Sequence, residues 1–276
     1  MAYNWIRAEE FSFNCILLMD RWILRYFVGM GQSGEGHYIN PEYRKHLGIA
    51  LAYNPAVYWY FENKCPESKE RIASLIEDVP KNLSAEEVRN SEIYILQAKE
   101  SFVVYVYPDV METNCEYING WTPDKLFSIV DFTDKVVLDI GSGTGRLAFA
   151  AAQQAKRVYA SEPVDYLREY MRDKIVKQGM KNIIVLDGVV EALPFEDSMF
   201  DIVMSAYVFG DDYDAEYAEM ARVVKSGGFI IDCDGENDEK EPEPRRKDLL
   251  RLGFECTHYV SILGGDVYRY WKQIIK

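Results

Sequence analysis

Hydrophobic spacing changes character partway along the chain. From Asp134 onward, short β-branched runs alternate with stretches whose apolar residues fall at helical intervals, the pattern of a parallel α/β sheet. Strands are predicted at Lys135–Ile140, Arg157–Ser161, Asn182–Leu186, Phe200–Ser205 and Phe229–Asp232, with helices at Arg146–Ala155, Val164–Lys177 and Asp214–Lys225. Another helix starts near Glu243 and ends before Gly253. The turn Gly264-Gly265-Asp266, between Phe254–Leu263 and Val267–Ile275, then predicts a closing β-hairpin.

Ahead of Asp134 the spacing is helical. Arg7–Val28, Pro41–Tyr53, Pro55–Lys64 and Glu67–Val79 are predicted helices, broken by the glycine-rich loop Gly29–Gly36 and by Pro80. A further helix begins at Ser84, where Glu87 three residues on completes a capping box. This region is rich in aromatics: Tyr53, Tyr58, Trp59, Tyr60 and Phe61, then Tyr94, Phe102, Tyr105, Tyr107, Tyr117 and Trp121. Such residues line small-molecule pockets, though on helices they serve more often as plain core. The expected organisation is a helical cap over residues 1–133 and an α/β domain over 134–276, with the cap supplying a substrate pocket.

Composition narrows the partners. Lys and Arg number 31 against 45 Asp and Glu, a net charge of −14. A partner bound through a phosphate backbone needs a positive field, so nucleic acid is not expected. The acidic stretch Asp232–Glu243 reads as a solvated loop. Five scattered cysteines form no CxxC pair, and the N-terminus lacks a basic start running into an apolar stretch, so a reduced, cytoplasmic protein is expected. No apolar run approaches the roughly 20 residues of a membrane span.

The most informative segment is Val136-Val-Leu-Asp139-Ile-Gly141-Ser142-Gly143-Thr-Gly145-Arg146. Glycines between a strand and a helix permit positive φ and close approach of a ligand to the backbone. A nicotinamide site would need G-x-G-x-x-G, but here the third glycine comes one residue early. Asp139 would also crowd a pyrophosphate, whereas it suits a ligand with an ammonium group. A turn used only for packing is the plain alternative.

This D-x-G-x-G-x-G pattern resembles motif I of the class I S-adenosylmethionine-dependent methyltransferases. Three further stretches carry the resemblance. Glu162, closing Arg157-Val-Tyr-Ala-Ser-Glu162, matches the acid that binds both ribose hydroxyls, a task suited to an acceptor-only carboxylate. Gly188-Val189-Val190-Glu-Ala-Leu-Pro-Phe195-Glu-Asp-Ser-Met-Phe200-Asp201 is similar to the family stretch that runs from the adenine pocket into the fourth strand. Ala221-Arg-Val-Val-Lys-Ser-Gly-Gly228 resembles the turn into the fifth strand, with Ser226 at the usual proline place.

The resemblance covers Asp134–Lys276 and implies a Rossmann-like, doubly wound, seven-stranded and mostly parallel sheet with a C-terminal antiparallel hairpin. It implies S-adenosylmethionine as cofactor, held by Asp139, Gly141, Ser142, Gly143, Gly145, Glu162, Asp187, Gly188, Val189, Val190 and Ser205. Val189 departs from the family, which usually has an Asp there for the adenine amine. Either Asp187 substitutes, or backbone near Val190 and apolar contact hold the base.

The implied reaction is in-line methyl transfer to a small-molecule acceptor, which needs alignment more than a covalent residue. No catalytic base is assigned: His37 lies in the glycine-rich loop, His46 on a basic helical face and His258 in the hairpin. The Asp/Asn-Pro-Pro-Tyr/Phe signature of base-amino methylation is absent after the fourth strand. Asp211 and Asp212 either orient an acceptor or cap the next helix, and no metal site can be composed. A cofactor-binding protein without transferase activity, its N-terminal helices serving as a partner surface, is the second reading. A nucleotide-dependent oxidoreductase is the third.

Overall fold

The computed structural model describes residues 4–30, 38–115, 122–210, 212–233, 246–261 and 265–276. His37 and most of the glycine-rich loop, Tyr117, Trp121, Asp211, Gly264 and the acidic stretch beyond Cys233 lie outside the described residues. The chain forms two compact units, Met1–Asn114 and Cys115–Lys276.

The first unit is helical: α1 Arg21–Phe27, α2 Pro41–Tyr53, α3 Pro55–Lys64, α4 Lys69–Ile76, α5 Ala85–Ala98, α6 Glu100–Val103 and α7 Pro108–Asn114. Pro41 and Pro55 open their helices at the position that has no amide bond to lose. Ser84 and Glu87 form the expected capping box at the start of α5. At Gly48 the backbone of α4 comes so close that a Cβ would lie 2.2 Å from the Leu75 carbonyl oxygen.

The single helix expected over Arg7–Val28 is instead two 3-10 turns, Ala8–Glu10 and Phe13–Leu18, followed by α1. Ser12 and Asp20 hold extended backbone and divide the segment. The run Phe13-Asn-Cys-Ile-Leu-Leu buries Phe13, Cys15 and Ile16 through this irregular path. Much of the aromatic endowment is core or ring stacking: Phe61 is fully buried, and Phe102 packs against Trp22, Tyr26, Phe27 and Tyr105. Trp59 is exposed.

The second unit opens with α8 Pro123–Phe127, then runs β1 Val136–Ile140, α9 Arg146–Ala151, β2 Arg157–Ser161, α10 Asp165–Gln178, β3 Ile183–Leu186, β4 Phe200–Ser205, α11 Tyr213–Val223, β5 Val224–Cys233, α12 Lys247–Arg251, β6 Glu255–Val260 and β7 Asp266–Gln273. Strand order is β3-β2-β1-β4-β5-β7-β6. β1 to β5 pair in parallel, and β7 runs antiparallel to β5 and β6. The fold is therefore the Rossmann-like, doubly wound sheet with an antiparallel C-terminal hairpin.

Apolar clusters form on each sheet face. One joins Val137, Phe149, Val158 and Met204 to Leu126 and Phe132, which is why the compact unit begins ahead of residue 134. The other joins Leu138, Phe200, Met220, Ile230 and Tyr270. Among the described residues no helix is long and apolar enough to cross a membrane. No disulfide joins the cysteines.

Candidate functional site

Strand order reverses beside β1, with β2 on one side and β4 on the other. Ligands of doubly wound sheets bind outside the carboxyl ends at this point. The turn leaving β1 needs its glycines, for Gly141, Gly143 and Gly145 have φ of 62°, 56° and 87°, left-handed values that cost a side-chain-bearing residue energy. Ser142 ties the turn together: its N–H donates to the Ser161 carbonyl and its hydroxyl to the Asp139 carbonyl at 2.9 Å.

Asp139 lies beneath this turn, 1% exposed, and its Oδ2 accepts from the Ala148 amide at 3.0 Å. Burial pushes its carboxyl up to about 8, against hydrogen bonds with Ser142 and Ala148 that pull it down, while Glu162 adds to the rise. The folded state thus holds this proton well above the ordinary value of 3.8, so stability falls as pH climbs through that window. In ligand-free protein, Asp139→Asn should gain melting temperature relative to wild type between about pH 4 and pH 8, then level off. Thermal unfolding across pH checks this, and a gap that does not change with pH would refute it.

Glu162 follows the end of β2 and is 4% exposed. Its Oε2 accepts from the Gly143 amide at 2.8 Å and its Oε1 from the Val164 amide at 2.9 Å. The carboxylate is thereby fixed against the glycine turn, with lone pairs to spare for hydroxyl donors. Beside it, the buried hydroxyls of Thr144 and Ser161 have no hydrogen-bond partner among the described residues, an arrangement that suits a polar ligand completing the turn.

The loop after β3 is equally constrained. At Gly188 a Cβ would lie 2.5 Å from Ser161 Oγ, so the chain approaches β2 more closely than a side chain permits. Val189 bridges Ala192 in antiparallel fashion, and Val190 is buried. Asp187, weighed as a substitute adenine ligand, is 74% exposed on its side chain and pairs with Arg168 at 3.4 Å. Ser205 ends β4 fully buried, its hydroxyl donating to Asp232 at 2.8 Å. Asp212 caps α11 through the Ala215 amide.

Residues that no motif marked build the scaffold. Arg168 donates to the Glu162 carbonyl at 2.8 Å and pairs with Asp165 and Asp187. Arg222 donates to the Leu193 and Phe195 carbonyls, while Glu219 accepts from the Leu193 amide. The i,i+3 spacing of Glu219 and Arg222 was a visible signal, but their loop partners were not. His258 pairs with Asp266 in the hairpin at 2.6 Å. His46, in the helical unit, lies 3.0 Å from Ser91 and stacks on Tyr94. Among the described residues no cluster of His, Cys, Asp and Glu could hold a metal.

A model of the methyltransferase domain matches residues 138–232. An uncharacterised methyltransferase of a Geobacillus sp. is 29% identical over 150 residues, which is 52% of this chain and 68% of that protein. A ubiquinone/menaquinone biosynthesis C-methyltransferase of Cupriavidus metallidurans is 36% identical over 100 residues, 34% of this chain and 41% of that one. A demethylmenaquinone methyltransferase of Lactococcus lactis is 29% identical, with 40% of this chain matching 46% of that protein. The chain therefore spans less than half the length of either quinone-named relative.

Among solved structures, an S-adenosylmethionine-dependent methyltransferase from Aquifex aeolicus is 19% identical, with a TM-score of 0.48 over 59% of this chain and 96% of that one. The family match covers β1 through β5, the strands that carry the glycine turn and Glu162. Residues 138–232 are thus similar to a methyltransferase domain and lie within the second compact unit.

Proposed function

We infer that the protein transfers the methyl group of S-adenosylmethionine to a small-molecule acceptor by in-line displacement. The reading is carried by one observation: two buried carboxylates, Asp139 and Glu162, flank a left-handed glycine turn where the sheet order reverses. When bound, the cofactor supplies an electrophilic methyl on a sulfonium. Glu162 would take the ribose hydroxyls, the glycine turn would accommodate the ligand backbone-close, and Asp139 would ionise toward the cationic end while bracing the turn. The loop Gly188–Val190 would hold adenine through backbone groups and apolar contact, because Asp187 is engaged with Arg168.

The quinone-related names of two relatives support a small molecule as acceptor. The net charge of −14 supports it over a nucleic acid. A cytoplasmic location fits cysteines that form no disulfide. Calorimetry with S-adenosylmethionine should give saturable binding, and methyl-labelled cofactor incubated with a metabolite extract should yield a labelled small molecule. Absence of binding at about millimolar cofactor, equivalent to less than about 4 kcal/mol of affinity, would sink the proposal.

A further inference from the structure

The loop that leaves β4 is held in a costly shape by a buried ion pair. In the sheet, Ser205 of β4 stands in register with Asp232 of β5, and both are fully buried. Ser205 Oγ donates to Asp232 Oδ1 at 2.8 Å, and Arg246 Nε reaches Asp232 Oδ2 at 3.2 Å. Arg246 also extends toward the loop: one terminal nitrogen donates to the Phe209 carbonyl at 2.8 Å, and the guanidinium carbon sits 5.9 Å from the centre of the Tyr207 ring. Its own backbone is anchored separately, the amide donating to the buried Tyr270 hydroxyl at 3.2 Å.

From the other side, buried Glu216 accepts from the amides of Gly210 and Asp212. Between these anchors Tyr207 has φ of 58°, a left-handed backbone that bulky residues seldom adopt and that persists only where the surroundings enforce it. The ring is nonetheless 42% exposed. The next residue, Val208, leans on the cofactor turn, since a Cβ on Gly141 would lie 2.5 Å from its Cγ2.

A buried ion pair is weak evidence for stability, because well-packed apolar residues often serve as well. What Arg246 adds is reach. Its planar fork can bond a carboxylate and a carbonyl at fixed angles, here on different elements. We propose that Arg246 is a positioning residue for the methyl acceptor: by joining Asp232 to the Phe209 carbonyl and the Tyr207 ring, it holds residues 206–210 as the acceptor wall beside the glycine turn. The proposal rests on the methyl-transfer reading above.

The test uses the full chain with two variants. Arg246→Lys keeps a cation for Asp232 but loses the fork, and the pair Asp232→Asn with Arg246→Met removes the charges together, so that neither leaves a buried charge alone. Amide hydrogen exchange should speed up about tenfold or more across residues 206–210 in both, as a locally released loop does. Affinity for S-adenosylmethionine should fall by no more than about tenfold, far less than label transfer, since the altered residues reach the cofactor turn only through Ser205 and Val208. Label transfer from methyl-labelled cofactor to a metabolite extract should fall about a hundredfold, the usual consequence of an acceptor misplaced by about 1 Å.

Unchanged loop exchange would overturn the proposal. So would label transfer that survives in both variants, or that falls only in step with a lower melting temperature. If wild-type protein binds no cofactor and transfers no label, the methyl-transfer reading fails and the acceptor role fails with it. The exchange measurement separates the two cases, because it reads the loop without cofactor or acceptor.

Discussion

Replacing Glu162 by alanine is expected to weaken S-adenosylmethionine binding about 100-fold or more. A carboxylate accepting from both ribose hydroxyls makes charge-assisted bonds worth about 1.5–3 kcal/mol each, so losing both costs roughly 3 kcal/mol or more, and each 1.4 kcal/mol is about tenfold in affinity. The alanine variant also deprives the Gly143 and Val164 amides of their acceptors, at 2.8 and 2.9 Å in the native protein. The turn itself therefore loosens. Glu162→Gln keeps one acceptor oxygen and places an N–H₂ where the other stood, so about a tenfold loss is expected, with the turn less disturbed. Calorimetry on the two variants measures both values. Equal, wild-type-like affinities would show that Glu162 braces the turn and touches no ligand.

The legible parts of the fold are those whose signal is local. Arg157–Ser161 and Phe200–Ser205 form strands with the expected bounds, because β-branched and aromatic runs flanked by polar turns leave little choice. The glycine turn was legible for the same reason: left-handed backbone at alternate positions demands glycine. The segment Arg7–Val28 was misread as one helix because apolar residues at helical spacing also suit a 3-10 path once Ser12 and Asp20 interrupt it. Least legible were Arg168, Arg222 and Arg246. They bond backbone carbonyls of Glu162, Phe195 and Phe209, the last two distant in sequence, and a carbonyl carries no side-chain signature. Asp187 illustrates the same limit, since its pairing with Arg168 depends on how β3 aligns with α10.

Gly145→Val should lower stability by roughly 2–5 kcal/mol and abolish cofactor binding. Two costs combine. Gly145 has φ of 87°, and left-handed backbone costs a residue with a Cβ about 1–2 kcal/mol, with β-branching at the unfavourable end. The Cβ would also lie 2.7 Å from the Phe149 ring and 3.1 Å from Met171 Cγ. Both side chains belong to the apolar cluster on that sheet face, and Lys174 covers the Phe149 ring at 4.9 Å. Overpacking of this kind adds about 1–3 kcal/mol. Domains are stable by only about 5–15 kcal/mol, so the sum takes a large share. Gly179 separates the contributions: its φ is 65°, with nothing within 4 Å of an added Cβ. Gly179→Ala should carry the backbone cost alone, about 1–2 kcal/mol, and leave cofactor affinity intact. Denaturant titration of both variants measures the difference, and equal losses would mean that the close contact with Phe149 relaxes at no cost.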